Sequence, residues 1–107
     1  MAEAVPVELR ETAGGGWQLL RGGEPFLIRG AGGNGPLDRL AAAGANSVRT
    51  WGAEGAGKFL DEAHEHGLTV TVGIWLGHER HGFDYSDAEQ VAAQLAHARN
   101  VVPVSYT

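Results

Sequence analysis

The chain has no cysteine, one methionine and a single lysine among its eight basic residues. Without cysteine, disulfide bonds, thiolate catalysis and cysteine-ligated zinc or iron–sulfur sites are excluded. The formal net charge of -5 disfavours nucleic-acid binding, which needs a basic surface to neutralise phosphates. No apolar run approaches the ~20 residues of a membrane span, and acids stand where a signal peptide needs a basic start. We therefore expect a cytoplasmic protein that binds neither nucleic acid nor membrane.

Glycine, by contrast, is abundant, and its positions divide the 107 residues into short segments. Residues 1–25 are predicted to form an N-terminal hairpin, since glycine accepts the backbone angles of tight turns. Residues 26–99 read as three strand-then-helix units. Residues 100–107 form an atypical tail with Pro103 in its middle. Because proline cannot donate to a central ladder, we expect an edge strand there, or a strand exchanged between copies.

The boundaries of the three units follow from local signals. Pro36 suits the first position of a helix, and Gly67 suits a left-handed helix end. Ser86 and Glu89 have the spacing of a capping box at the start of the third helix. The expected strands cover residues 26–29, 46–51 and 68–76.

Strands that alternate with helices predict an α/β fold with a parallel sheet. One face of the predicted strands is apolar and suits helix packing. The other carries Arg49, Trp51, Thr71 and Trp75, which is too polar and too aromatic to lie under helices. Such side chains suit a barrel interior near its mouth. We therefore predict part of a (β/α)8 barrel whose open sheet is completed by oligomerisation, as a homodimer or a larger, strand-swapped assembly.

Three segments carry a resemblance to a known family: residues 24–30, 40–51 and 59–70. They resemble the opening of a (β/α)8-barrel glycoside hydrolase of the retaining clan that includes β-galactosidase-, β-glucuronidase- and endoglucanase-like enzymes. The stretch Gly44-Ala-Asn-Ser-Val-Arg49 is its most specific part. The resemblance covers residues 15–99, and it implies a protein truncated after about three units.

The resemblance also implies roles for individual residues. Arg49 matches the arginine beside the nucleophilic carboxylate, and Trp51 and Trp75 match aromatic platforms that stack on sugars. The family's general acid follows an Asn-Glu pair, which this chain lacks, and its nucleophile ends a seventh strand. A retaining glycosidase needs two carboxyl groups about 5–5.5 Å apart. We therefore expect no classical glycosidase activity; one expectation is a catalytically silent oligomeric fragment with residual carbohydrate binding.

The predicted loop of residues 77–85 suggests a second chemistry. His78 and His81 are three apart, with Glu79 and Asp84 nearby. Two imidazoles and a carboxylate form a ligand set for zinc or manganese. A bound metal of this kind generates hydroxide for hydrolysis. The expected activity is metal-assisted hydrolysis of small activated or phosphate esters, with His78 and His81 as metal ligands.

In this hypothesis the remaining site residues fall into two groups. The catalytic residues are Arg49, Glu79 and Asp84. The substrate-binding residues are Trp51, Trp75 and Tyr85.

Two alternatives remain open on the sequence. Residues 30–35 match the G-x-G-x-x-G pattern, with Glu54 about 20 residues further on, which would indicate a dinucleotide-binding module. Against this alternative, the motif needs its third glycine inside the helix, whereas here Pro36 starts the helix after the third glycine. Separately, His64 and His66 in the last turn of the second helix are favoured there by the helix dipole, and they could join a site across an interface.

Overall fold

Two separate three-stranded sheets and three helices make up the part of the chain that the structure describes. The computed structural model describes the backbone of residues 5–105 and the side chains of residues 5–102. The antiparallel sheet has the order β1-β2-β3, and the parallel sheet has the order β4-β5-β6. The elements are β1 Val7–Glu11, β2 Trp17–Arg21, β3 Glu24–Pro25, β4 Gly30–Gly32, α1 Leu37–Ala42, β5 Ser47–Arg49, α2 Ala56–Glu65, β6 Thr69–Thr71, a 3-10 turn Glu79–His81, and α3 Ala88–Ser105.

The prediction of a partial (β/α)8 barrel is wrong. The described residues contain a parallel sheet of three short strands and a separate antiparallel sheet, not a curved barrel wall. Each parallel strand has only three residues, whereas a barrel wall needs longer, tilted strands whose sheet closes on itself. The protein is a small mixed α/β domain. Alternation along residues 68–76 over-predicted the last strand, which ends at Thr71.

The helices α1 and α2 end in the same way, and this ending directs the chain into the next strand. Gly44 and Gly67 have φ angles of 93° and 72°, in the left-handed region that glycine tolerates. After α2, the Leu68 amide donates to Ala63 O at 2.9 Å and the Gly67 amide donates to His64 O at 3.0 Å. These two bonds define a Schellman motif. The prediction for Gly67 is thus confirmed, and Gly44 ends α1 in the same way.

The first turn of α3 is capped by Asp87, not by Ser86. The Asp87 carboxylate accepts the amides of Glu89 at 2.9 Å and Gln90 at 3.3 Å. Ser86 turns the other way, and its hydroxyl donates to Asp84 Oδ1 at 2.6 Å. Hydrogen bonds from the Gln90 side chain and amide, and from the Glu89 amide, lower the pKa of Asp87. The helix cap therefore lies one residue later in the chain than the capping box predicted.

This cap predicts an acid-sensitive helix start. Because the folded state lowers the pKa of Asp87, its stabilising contribution is present above the ordinary aspartate pKa of about 3.9 and disappears as the pH falls below it. In thermal melts between pH 7 and pH 3, the melting temperature of the wild type should fall once the pH drops below this value. Asp87→Asn keeps a capping oxygen but loses the charge, so its melting temperature should fall less steeply. Equal slopes for the two proteins would contradict the assignment.

The core lies between the parallel sheet and the helices α1 and α2. Its buried members are Leu37, Val48, Ala63 and Leu68, and the side chains packed around them include Phe59. This is a small cluster for a chain of 107 residues. The tryptophans that follow β5 and β6 lie outside this core and are exposed.

Asn46 joins an extended segment to the parallel sheet. Its Oδ1 accepts the Arg29 amide at 2.7 Å, and its Nδ2 donates to Leu27 O at 2.8 Å. Its backbone oxygen accepts the Thr69 amide at 2.9 Å. Residues 26–29, predicted as the first parallel strand, are therefore extended but pair largely with a side chain, and β4 begins at Gly30.

The tail does not form an edge strand over the residues that the structure describes. Residues 100–105 continue α3, and residues 106 and 107 lie outside the described part of the chain. Extending an existing helix needs no new nucleation, which explains why the β-branched residues follow the helix before them. Among residues 5–105, no helix has the length and apolar character to cross a membrane.

Candidate functional site

Arg49 and Trp51 form the first part of the site, directly after β5. The guanidinium carbon of Arg49 lies 5.4 Å from the centre of the Trp51 ring, within the range of a cation–π contact. The Trp51 ring covers the backbone of Gly32, where an added Cβ would come within 2.8 Å of Cη2. A residue larger than glycine would therefore displace the indole.

Trp75 forms the second part, after β6. Its ring lies against Gly52, so that a Cβ there would be 3.1 Å from Cδ1. The segment before it is held by Thr50, whose hydroxyl accepts the Gly73 amide at 3.2 Å and donates to Gly52 O at 2.9 Å. A single threonine thus ties together the two segments that carry the tryptophans.

Both tryptophans line one cleft of about 800 Å³. The cleft lies between α2, α3 and the segments that follow β5 and β6. Apolar side chains such as Phe59, Ile74 and Val101 contribute to its lining, as do the charged side chains of Glu54 and Lys58. A concave apolar site with a few polar groups is the usual form of a small-molecule site.

His78 and His81 lie side by side at the 3-10 turn, with ring centres 5.6 Å apart. The geometry follows from the turn, because residues three apart in a 3-10 helix eclipse one another. Two imidazoles that share one tetrahedral zinc ion have ring centres about 5 Å apart. His78 also lies 6.4 Å from the Trp75 ring, and both histidines line a second depression of about 540 Å³.

The loop that carries the histidines is fastened to α3 by two glutamines. Gln94 Oε1 accepts the Gly77 amide at 2.5 Å, and Gln90 Oε1 accepts the Asp84 amide at 3.1 Å. Tyr85, predicted to contact substrate, donates its hydroxyl to Gly77 O at 2.7 Å and packs on Phe83 at 4.4 Å between ring centres. In this structure Tyr85 supports the loop.

The two carboxylates predicted to act here have different surroundings. Asp84 Oδ1 accepts the amide and the hydroxyl of Ser86, and these bonds lower the pKa of Asp84. Because Oδ1 is hydrogen-bonded within the turn, Oδ2 is the oxygen that can bind a metal ion. Glu79 is exposed on the 3-10 turn. Within residues 5–102, no three histidine, aspartate or glutamate side chains are grouped to hold a metal ion.

The glycine pattern at residues 30–35 does not take the form of a phosphate loop. The fingerprint places its glycines after a strand, whereas Gly30 and Gly32 are themselves strand residues in β4. Gly30 is needed because an added Cβ would collide with the Ser47 carbonyl oxygen. A close approach between two strands therefore accounts for this glycine without a nucleotide.

The structure brings together Arg49 and Trp51 in one group, and Trp75, His78 and His81 in another. Trp75 lines both the cleft and the histidine depression. His64 and His66 are exposed at the end of α2.

Sequence reasoning missed the supporting residues Thr50, Gln90 and Gln94. The four-residue spacing of the two glutamines, just after a long loop, was the available signal. Compared with protein-family models and with curated protein sequences, the chain matches none.

Proposed function

We propose that the chain binds a carbohydrate-like ligand in the cleft between Trp51 and Trp75, without cleaving it. The observation that carries the proposal is that two exposed indoles line the same cleft. An indole presents a large apolar face to the C–H groups of a sugar ring, while polar groups at the rim can receive its hydroxyls. The resemblance of residues 15–99 to retaining glycoside hydrolases supports the same ligand class. The absence of cysteine supports the cytoplasm as the compartment.

Arg49 has a defined part in this proposal. Its guanidinium lies over the Trp51 ring, and the backbone of Gly32 comes close to Cη2 at the end of the same indole. Arg49 therefore acts by positioning the platform. Glu54 and Lys58 line the cleft with opposite charges, so a neutral polyol suits it better than a multiply charged ligand.

Titration with neutral oligosaccharides, followed by tryptophan fluorescence, tests this function. Trp75→Ala and Trp51→Ala should each weaken binding by about three- to tenfold, the equivalent of one aromatic contact. Trp17→Phe is the matched control, because Trp17 is also exposed but lies in β2, away from the cleft lining. If no oligosaccharide shifts the emission at millimolar concentration, the proposal fails.

A second candidate function is metal-assisted hydrolysis of small activated esters, including phosphate esters. The specific observation in its favour is the 5.6 Å separation of the His78 and His81 rings, which suits two ligands on one zinc or manganese ion. A bound ion supplies water of lowered pKa. A catalytic zinc site uses three protein ligands, and the described residues group only two, so a homo-oligomer would have to supply the third.

Metal content and ester turnover, measured on the same samples, test the second candidate. His78→Ala and His81→Ala should each lower bound zinc and turnover together. His97→Ala removes an exposed histidine of α3 that does not line the histidine depression, so it is the control and should change neither. Turnover that persists unchanged in EDTA would reject a metal mechanism, whatever the outcome of the oligosaccharide titration.

A further inference from the structure

An apolar stripe covers one face of the antiparallel sheet. Val7, Leu9 and Trp17 lie on this face and are 59%, 67% and 67% exposed. The pairing register puts Leu9 opposite Leu19, which joins them on the same side. The other face carries the exposed Glu8–Arg10 ion pair together with the buried Leu20. Both faces of the hairpin are exposed apart from Leu20, and the face of Leu9 is the more apolar of the two, unlike an antiparallel sheet that turns its polar face to solvent.

Nothing else in the described residues covers the stripe. The strands β1, β2 and β3 make their main contacts with one another and not with the helices or the parallel sheet. A small antiparallel sheet needs an apolar face packed against another layer to be stable. The stripe is thus the surface on which the stability of this sheet depends.

The chain as a whole exposes more surface than a compact domain of its size. The accessible surface is 7933 Å², whereas a folded monomer of 11.2 kDa is expected to expose about 5,700 Å². The radius of gyration is 16.4 Å, compared with about 13 Å for a compact chain of this length. The excess is spread over the chain, and the stripe is one part of it.

We propose that the stripe is a homotypic interface, on which a second copy of this chain packs its own stripe face to face. The charges at the two ends favour a second copy. Glu11 lies at one end of the stripe and Arg21 at the other, because Glu11 pairs with Trp17 and Val7 pairs with Arg21. A two-fold axis perpendicular to the strands brings the Glu11 end of one copy over the Arg21 end of the other. In this arrangement the ends of the stripe are complementary in charge.

This interface differs from completion of the parallel sheet. It uses side chains of a sheet face and leaves the edges β4 and β6 as they are. It also leaves the cleft and the histidine depression open, since none of its residues lines them. This interface is therefore independent of ligand binding in the cleft, and its own residues supply no third metal ligand to the histidines.

Sedimentation equilibrium at micromolar concentration tests the interface. The wild type should have twice the mass of the 11.2 kDa chain, and Leu9→Arg should have the mass of one chain. Gln18→Arg places the same charge on the opposite, exposed face and should leave the dimer intact. Circular dichroism verifies that each variant is folded. A monomeric wild type, or equal dissociation by Leu9→Arg and Gln18→Arg, would overturn the proposal.

Charge reversal gives a second test that does not depend on Leu9. Glu11→Arg and Arg21→Glu should each weaken association by about tenfold, because each places like charges opposite one another. The double variant restores opposite charges and should associate nearly as tightly as the wild type. A double variant that associates no better than the single variants would overturn the arrangement.

Discussion

Replacing Leu68 by alanine is expected to lower the free energy of unfolding by about 2–5 kcal/mol, the cost of a cavity at a buried leucine. Leu68 is only 5% exposed and belongs to a cluster of four buried residues. Domains are stable by only about 5–15 kcal/mol in total, so this one change removes a large share. Urea unfolding followed by circular dichroism measures the difference.

Leu95→Ala is the matched control for this prediction. The substitution is the same, but Leu95 lies on α3 and is 52% exposed. Leu95→Ala should lower the free energy of unfolding much less than Leu68→Ala, because about half of the surface of Leu95 is already in water. The same loss at both positions would mean that the cluster around Leu68 is not the core.

Replacing Gly73 by alanine is expected to cost about 1–3 kcal/mol and to weaken ligand binding in the cleft at the same time. An added Cβ would collide with the Thr50 carbonyl oxygen and lie 2.7 Å from Trp51 O. Both are backbone atoms, which cannot rotate away as the end of a side chain can. The two segments that carry Trp51 and Trp75 must therefore move apart.

Gly57→Ala provides a control whose expected effect on stability has the opposite sign. Gly57 lies in α2, and an added Cβ there would meet nothing within 4 Å. Alanine favours a helix over glycine by up to about 1 kcal/mol, so this variant should be as stable as the wild type or more so. Urea melts on both variants measure the effect on stability, and oligosaccharide titrations measure the effect on ligand binding. A Gly73→Ala protein with unchanged stability and binding would contradict the close approach.

Local signals in the sequence predicted the helices better than the strands. Pro36 and the Ser86–Glu89 spacing marked the starts of two helices to within one residue, and Gly67 marked a true helix end, because such signals act within one turn of chain. The strand at residues 68–76 was over-predicted, since alternation describes an extended chain whether or not a neighbour pairs with it. Pairing ends at Thr71, where the partner strand β5 ends at Arg49.

The barrel prediction failed for a related reason. A resemblance carried by short segments indicates the order of strands and helices, but the closure of a sheet depends on strand length and on partners far away in the chain. The role of Asn46 was hidden as well. Its side chain takes the place of a strand partner only because Leu27 and Arg29 come beside it in the folded protein.

The candidate site was predictable in part. The composition of the loop showed two histidines three apart, and the 3-10 turn then placed their rings together. The partners of Asp84 and Tyr85 could not be read in the same way. Each is bound to its own loop by hydrogen bonds that depend on where the backbone turns.

Trp75 lines both the cleft and the histidine depression, so the two spaces share one indole as a wall. If a ligand in one space shifts this indole, the free energy of binding in the other space changes with it. By reciprocity, a sugar that alters metal affinity by some factor has its own affinity altered by that factor. The indole at position 75 would then act as a coupling element between two ligands that never touch.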